Sequence, residues 1–217
     1  MKKVALIIAG GKGERMGSEI PKQFLVLKGL PILMHTIKKF SDFEEKFLVL
    51  PKLQFDYWKK LCKEYNFNEN YTLVEGGESR FHSVKNGLEK IELGVIIAIH
   101  DGVRPLISKK LIHKTMALIK PGVGSVPIFP IKESIRKVEN ETSKNIDRNN
   151  YYYVQTPQIF ISNGIKKAYS KKKLTFFTDD ASVFESSGGE ISTVLGEEKN
   201  LKITTKNDLK IAEIFMQ

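Results

Sequence analysis

The sequence predicts an α/β fold: a layered domain with a mostly parallel sheet and one projecting β-arm. Apolar β-like runs alternate with helical stretches from end to end, the pattern of strands covered by helices. The first apolar run opens directly into a glycine-rich turn, as a buried strand does at the ligand-binding edge of such a sheet. At 217 residues the chain can enclose one sizeable core, and no internal repeat or linker marks a second domain.

Taken in order, strands are expected at Val4 to Ala9, Lys46 to Leu50, Tyr71 to Val74, Val95 to Ile99 and Gly124 to Phe129. The start, Met1-Lys2-Lys3 before an apolar stretch, looks like a signal peptide, but that stretch is too short and Gly10-Gly11-Lys12-Gly13 cuts it off, so it reads as strand one. Helices are expected at Ile32 to Phe40, Phe55 to Tyr65, Ser79 to Lys90, Lys109 to Ile119, Asn163 to Ser170, Asp179 to Ser186 and Asn207 to Phe215. Thr205 suits the N-cap of the last, with Asp208 three residues on completing a box-like turn. Pro130 to Arg148 breaks the alternation. It is charged and poor in core residues, with β-forming Ser134-Ile-Arg-Lys-Val138 before turn-prone Glu139-Asn140-Glu141, and reads as the arm.

Composition narrows the class. A single cysteine, Cys62, argues against a disulfide scaffold or multi-cysteine metal site and fits a reducing cytoplasm. No run is long enough to span a bilayer. The formal net charge of +10 invites a nucleic-acid partner, but the lysines lie in solvated-face patterns and no basic stripe is interleaved with stacking aromatics, so small anionic substrates are expected instead. His35, His82, His100 and His113 have no metal-ligand spacing and read as structural.

The turn after the first strand reads Ala9-Gly10-Gly11-Lys12-Gly13-Glu14-Arg15-Met16-Gly17, then Pro21-Lys22-Gln23. Closely spaced glycines let backbone N–H groups approach an anion, and Arg15 and Lys22 add two mobile positive charges. The spacing is neither the dinucleotide fingerprint nor the P-loop, since Gly17 comes one residue late and Gly11-Lys12 runs into Gly13. A nucleoside triphosphate is the expected ligand.

Four further polar clusters fall near strand ends or turns. Gly76-Gly77-Glu78-Ser79-Arg80-Phe81-His82-Ser83 either reads a base or ribose or is a turn with Ser79 capping a helix. In His100-Asp101-Gly102-Val103-Arg104-Pro105, Asp101 and Arg104 either face a ligand or pair with each other. Asp147-Arg148 through Gln155-Thr156-Pro157-Gln158, and Thr178-Asp179-Asp180-Ala181-Ser182, carry hydroxyls and an arginine suited to a phosphorylated polyol, although Thr156 also suits a plain turn and Thr178 an N-cap. Lys202, between Leu201 and Ile203 in a β-like segment, is either solvated or aimed into the site.

These blocks, in this order over essentially the whole length, resemble the 2-C-methyl-D-erythritol 4-phosphate cytidylyltransferases of non-mevalonate isoprenoid synthesis. The resemblance implies a single Rossmann-like nucleotidyltransferase domain over 1–217. Its reaction would transfer CMP from CTP to the polyol phosphate and release pyrophosphate, with magnesium or another divalent cation on the triphosphate. It implies that Arg15 and Lys22 stabilise the transition state, that Ala9, Gly10, Gly11 and Gly13 hold the triphosphate, and that Gly77, Glu78 and Ser83 recognise cytidine. Arg148, Thr156, Thr178 and Lys202 would bind and aim the polyol phosphate, with Arg148 and Lys202 also counted as catalytic. Asp101, Arg104 and Ser134 fall to the substrate side, Asp101 with its role open.

The resemblance further implies a cytoplasmic homodimer with interlocked arms, in which Arg148 and Arg104 serve the neighbour's site. Ser134 stands where a threonine is expected, Glu78 replaces a frequent aspartate, and the arm turn is shorter than in well-known members. Such changes keep hydroxyl and carboxylate chemistry and bear on affinity more than on reaction type. Two other readings stay open at this level: a ribitol 5-phosphate cytidylyltransferase with the same CTP machinery, and a non-catalytic nucleotide-binding protein.

Overall fold

A strand that is apolar at every position needs cover on both faces, and the chain supplies it. The computed structural model describes residues 1–10, 20–170 and 177–216. Its elements are β1 (Lys3–Ile8), β2 (Val26–Leu27), β3 (Leu30–Pro31), α1 (Ile32–Lys38), β4 (Glu45–Leu50), α2 (Phe55–Glu64), β5 (Thr72–Glu75), α3 (Arg80–Glu89), β6 (Ile96–Asp101), α4 (Lys109–Met116) and β7 (Val123–Pro130). They continue with β8 (Ile135–Glu139), β9 (Thr142–Ile146), β10 (Tyr152–Val154), β11 (Gln158–Ile161), α5 (Ser162–Ser170), α6 (Asp180–Glu185), β12 (Glu190–Leu195) and α7 (Lys206–Phe215).

The main sheet runs β10-β7-β11-β6-β1-β4-β5, with β12 also on β7. β6, β1, β4 and β5 are parallel neighbours, β12 is parallel to β7, and β10 and β11 are the antiparallel members. The period of two in β1 divides the core. Ala5 and Ile7 face Leu33, Met34 and Ile37 of α1, Trp58 of α2 and Leu111 of α4. Val4, Leu6 and Ile8 face Val84 and Leu88 of α3, Ile165 of α5 and Phe184 of α6. A smaller cluster of Leu27, Ile32, Val103 and Ile203 seats α7 through Ala212.

The five expected strands are present within a residue or two of their expected limits. The short β10 and β11 and the six-residue β12 were not expected. β11 has four residues and begins with Gln158, so it shows neither a long apolar run nor alternation, and only the gap between β6 and β7 makes it a strand. Thr205 and Asp208 form the anticipated reciprocal cap of α7, and Ser79 caps α3 by accepting from the His82 N–H. Thr178 does not cap α6: Asp179 Oδ1 accepts from the Ser182 N–H at 3.0 Å, because a carboxylate is the stronger acceptor at a helix N-terminus. The Leu201 to Ile203 segment is not a strand.

The arm is the β8–β9 hairpin, which pairs only with itself. Its two-residue turn places Asn140 at φ 45° and Glu141 at φ 68°, the left-handed pair that matches strand twist. Val138 on the arm and Tyr151, Tyr152, Tyr153 and Val154 at its base are exposed.

Candidate active site

Parallel strands deliver their C-terminal ends to one edge of the sheet, and Asp101, Arg104, Thr156, Thr178 and Lys202, among the predicted residues, line one cavity there. Ile8 of β1 lies beside Asp101 of β6. Immediately beyond, the Gly102 N–H donates to the Ile8 carbonyl at 2.8 Å. A Cβ on Gly102 would fall 2.8 Å from that of Ala9, so glycine is what lets the two strand exits lie flush. This junction joins two half-sites.

The first half is built on Ala9, Gly10, Lys22, Gly77 and Ser83. The Gly77 N–H donates to Ser83 Oγ at 3.1 Å. Ser83 is buried, and its hydroxyl reaches under Gly10, where an added Cβ would meet it at 3.4 Å. Gly77 lies so close to α3 that a Cβ would sit 2.4 Å from His82 Cβ. Lys22 is buried in a single 3-10 turn, Lys22–Phe24. Glu78 is exposed at the rim. Arg15, Gly11 and Gly13 lie outside the described residues.

The second half is a cavity of about 250 Å³ whose lining includes Asp101, Arg104, Thr156, Thr178 and Lys202. Asp101 is its electrostatic centre. Lys202 Nζ lies 3.1 Å and Arg104 Nε 3.2 Å from Asp101 Oδ2, and Arg80 Nε lies 3.7 Å from Oδ1. Burial alone would raise the carboxyl pKa, but Lys202, Arg80 and Arg104 outweigh it and hold Asp101 well below the usual carboxylate range. Arg80 is neutralised elsewhere, by Asp180. Arg104 and Lys202 therefore share one carboxylate, while a second, Asp179, held by Gln158 and the Ser182 N–H, also lines the cavity, so cations and carboxylates face it together.

A buried hydrogen-bond chain holds this centre. His100 Nε2 lies 3.1 Å from the Arg104 carbonyl, which can only accept, so Nε2 carries the proton. Nδ1 then accepts from Thr156 Oγ1 at 3.1 Å, while the same hydroxyl accepts from the Asp101 N–H at 3.1 Å. Thr156 is thus first a junction under the site, and Asn200 Nδ2 donates to its carbonyl at 2.9 Å.

Burial lowers the His100 pKa from 6.5 to about 4. The unfolded chain therefore binds the extra proton first. Stability from this group is complete above pH 6.5 and falls by roughly 3 kcal/mol as pH drops to about 4. Asp101 adds a second loss that begins near the ordinary carboxylate pKa, where the unfolded chain takes up a proton that the native carboxylate still refuses. Urea unfolding as a function of pH should show the first slope in the native chain and lose it in His100→Gln; an unchanged slope would assign it elsewhere.

Two residues absent from the expected site are central to it. Arg80 makes a bidentate pair with Asp180, at 2.8 and 2.7 Å, and Asp180 also accepts from the Tyr169 hydroxyl at 2.6 Å. Gln158 Nε2 donates to Asp179 Oδ2 at 2.9 Å, and its Oε1 accepts from the Ala181 N–H at 2.8 Å. Arg80 and Gln158 both line the cavity. Their signal was present in the blocks around Gly76 and Thr156, but no spacing rule joins an arginine to a carboxylate a hundred residues away.

Other expected residues fall differently. Arg104, expected to serve a neighbour, lines its own chain's cavity, bound to Asp101 and, through Nη1, to the Asn200 carbonyl at 2.8 Å. Ser134 is exposed on the arm. Arg148 is exposed and donates to the Lys132 carbonyl at the arm's base, and neither residue lines this cavity. Among the described residues no three His, Cys, Asp or Glu side chains converge on a metal position, and Asp101 is saturated by cations. That donor set does not fit a protein-built cage for a divalent ion. No helix among them is long and apolar enough to cross a membrane.

Comparison with known proteins agrees with this geometry. The family model for 2-C-methyl-D-erythritol 4-phosphate cytidylyltransferase matches residues 3–217. The proteins of that name from Bacteroides fragilis and Clostridium perfringens are 45% and 38% identical to the chain, the first over the full length of both and the second over 100% of this chain and 99% of its own. The crystal structure of the Francisella tularensis enzyme superimposes with a TM-score of 0.81 at 29% identity over 99% of each chain. That of the Anaerococcus prevotii 4-diphosphocytidyl-2C-methyl-D-erythritol synthase gives 0.83 at 27% over 100% of this chain and 96% of the other. With its blocks in order along the whole length and Arg104 and Lys202 held on Asp101 at the exit of β6, the chain belongs to the 2-C-methyl-D-erythritol 4-phosphate cytidylyltransferase family.

Proposed function

We propose that the two half-sites transfer the cytidylyl group of CTP to the phosphate of 2-C-methyl-D-erythritol 4-phosphate, an enzymatic step of isoprenoid precursor synthesis. An oxygen of the polyol phosphate attacks the α-phosphorus of CTP, and the bond to pyrophosphate breaks. Phosphate attacking phosphate gathers negative charge, so the protein's task is positioning and electrostatic stabilisation, and no protein nucleophile is needed. The observation that carries the reading is the pair of cations, Arg104 and Lys202, held on the buried carboxylate of Asp101 beside the exit of β1.

In this reading the whole chain, 1–217, acts as one domain. Lys22 and Arg15 stabilise the charge developing at the α-phosphate, and Ala9, Gly10, Gly11 and Gly13 seat the triphosphate. Gly77, Glu78 and Ser83 face the cytidine. Arg104, Thr178 and Lys202 bind the polyol phosphate, with Asp101 and Thr156 holding them in register. Magnesium enters with CTP, as part of the substrate, where it offsets triphosphate charge.

The arm adds a second copy of the chain in the cytoplasm. Ser134 and Arg148 are exposed on an arm with bare apolar residues at its base, which suits contributions to a neighbour's site. Mixing Lys22→Ala and Arg148→Ala subunits should then restore activity, because one site of each heterodimer receives both native residues. No recovery in confirmed heterodimers would place Arg148 outside the shared site.

Pyrophosphate release from CTP and magnesium, with methylerythritol phosphate and ribitol 5-phosphate compared at matched concentrations, tests the substrate. A strong preference for the first is expected. Preference for ribitol phosphate would overturn the substrate assignment, and turnover with neither would overturn the catalytic one.

A further inference from the structure

Lys22 shares its turn with two anchored neighbours. It opens a one-turn 3-10 helix, behind Pro21, in which the Phe24 N–H donates to the Pro21 carbonyl at 2.9 Å. Three residues per turn send Lys22, Gln23 and Phe24 in three directions, so anchoring two of them fixes the backbone from which the Lys22 side chain starts. Phe24 is anchored by packing, stacked on Trp58 at 5.9 Å and edge-on to Tyr57 at 5.3 Å.

Gln23 is anchored by hydrogen bonds. Its side chain is 1% exposed, and Nε2 lies 2.9 Å from the Ala9 carbonyl and 2.8 Å from Gln54 Oε1. The Ala9 carbonyl can only accept, so the amide's NH₂ must face it, and its second hydrogen then meets Gln54. Ala9 is the residue at which β1 gives way to the glycine turn, and its own N–H is fixed on the Val49 carbonyl at 2.9 Å. One buried amide thus joins the Lys22 turn, the exit of β1 and the turn that follows β4.

We infer that Gln23 is a positioning residue for the cytidylyl transfer, setting where Lys22 stands relative to the strand exit that receives the triphosphate. The inference rests on the proposed reading, in which Lys22 acts on the nucleotide. Glutamine is required rather than merely tolerated. A methionine fills similar space and donates nothing, and a glutamate sets a carboxylate against two acceptor oxygens.

The test is steady-state pyrophosphate release with CTP, magnesium and methylerythritol phosphate for the native enzyme, Gln23→Met, Gln23→Glu, Lys22→Ala and the double variant Gln23→Met/Lys22→Ala. Gln23→Met should lower kcat about 10- to 100-fold, the scale of a small misplacement at a reacting centre, with KM for CTP little changed. Gln23→Glu should be slower still. The double variant should be no slower than Lys22→Ala, since a residue acting through Lys22 has nothing left to position. Effects that multiply, or a native kcat in Gln23→Met, would overturn the inference.

Should the buried variants fail to fold, Gln54→Ala removes one acceptor from the less buried side. It should give a smaller fall in kcat that also vanishes in the Lys22→Ala background; an unchanged kcat, or a fall that persists there, would overturn the two-point clamp. Native turnover in the same assay reports on the functional reading separately, so a slow variant beside an active native enzyme bears on the positioning alone.

Discussion

Lys22→Ala is expected to lower turnover about 10²- to 10³-fold, the scale of losing one electrostatic partner of a transition state. The reason lies in the chemistry as much as in the fold. With no covalent step to share the work, a cation beside the α-phosphate acts where negative charge grows most between ground and transition states. The turn itself should survive, because Phe24 and Gln23 anchor it independently of the lysine. Single-turnover rates with saturating CTP and polyol phosphate, beside a thermal melt, separate the two effects. A native rate in a folded Lys22→Ala enzyme would remove Lys22 from the mechanism.

The largest effect on stability is expected from Arg80→Leu, a loss of about 3–5 kcal/mol. Asp180 is fully buried, and without the guanidinium it keeps only the Tyr169 hydroxyl. An ionised carboxylate left there is a buried charge without a counter-ion. Asp101 suffers less, since Arg104 and Lys202 remain. Urea unfolding at neutral pH measures the loss, and adding Asp180→Asn should recover part of it by removing the stranded charge. A loss below about 1 kcal/mol would mean that the pair behaves like a solvent-screened surface bridge.

The contrast between these two residues shows where a sequence stops being readable. Lys22 stands in a local motif, one strand and one turn from the glycines, so chain order alone brings it to the site. Arg80 faced no such motif. Its partner, Asp180, lies on another helix, and only the packing of α3 and α5 with α6 on one sheet face closes the distance. Thr156 is the intermediate case. Its block was recognised, but its hydroxyl serves His100 and Asp101, a role invisible until β6 and β11 pair.

The arm divides in the same way. Its break in the alternation, its β-forming run and the Glu139-Asn140-Glu141 turn are local, and the hairpin follows them. Arg104 was expected to serve a neighbour, yet it stands only three positions after Asp101 along the chain, and the turn after β6 folds it back onto that carboxylate.

Periodicity, glycine placement and caps are local physics, and through them the sequence by itself determined an α/β sheet, the cap of α7 and the projecting arm. The tertiary structure decided what depends on contacts between distant segments: the antiparallel insertion of β11, the Arg80–Asp180 pair, the three cations on Asp101 and the hold of Gln23 on Ala9 and Gln54. The physical reason is that burial strengthens electrostatics and makes an unpaired polar group costly, and burial belongs to the folded chain as a whole.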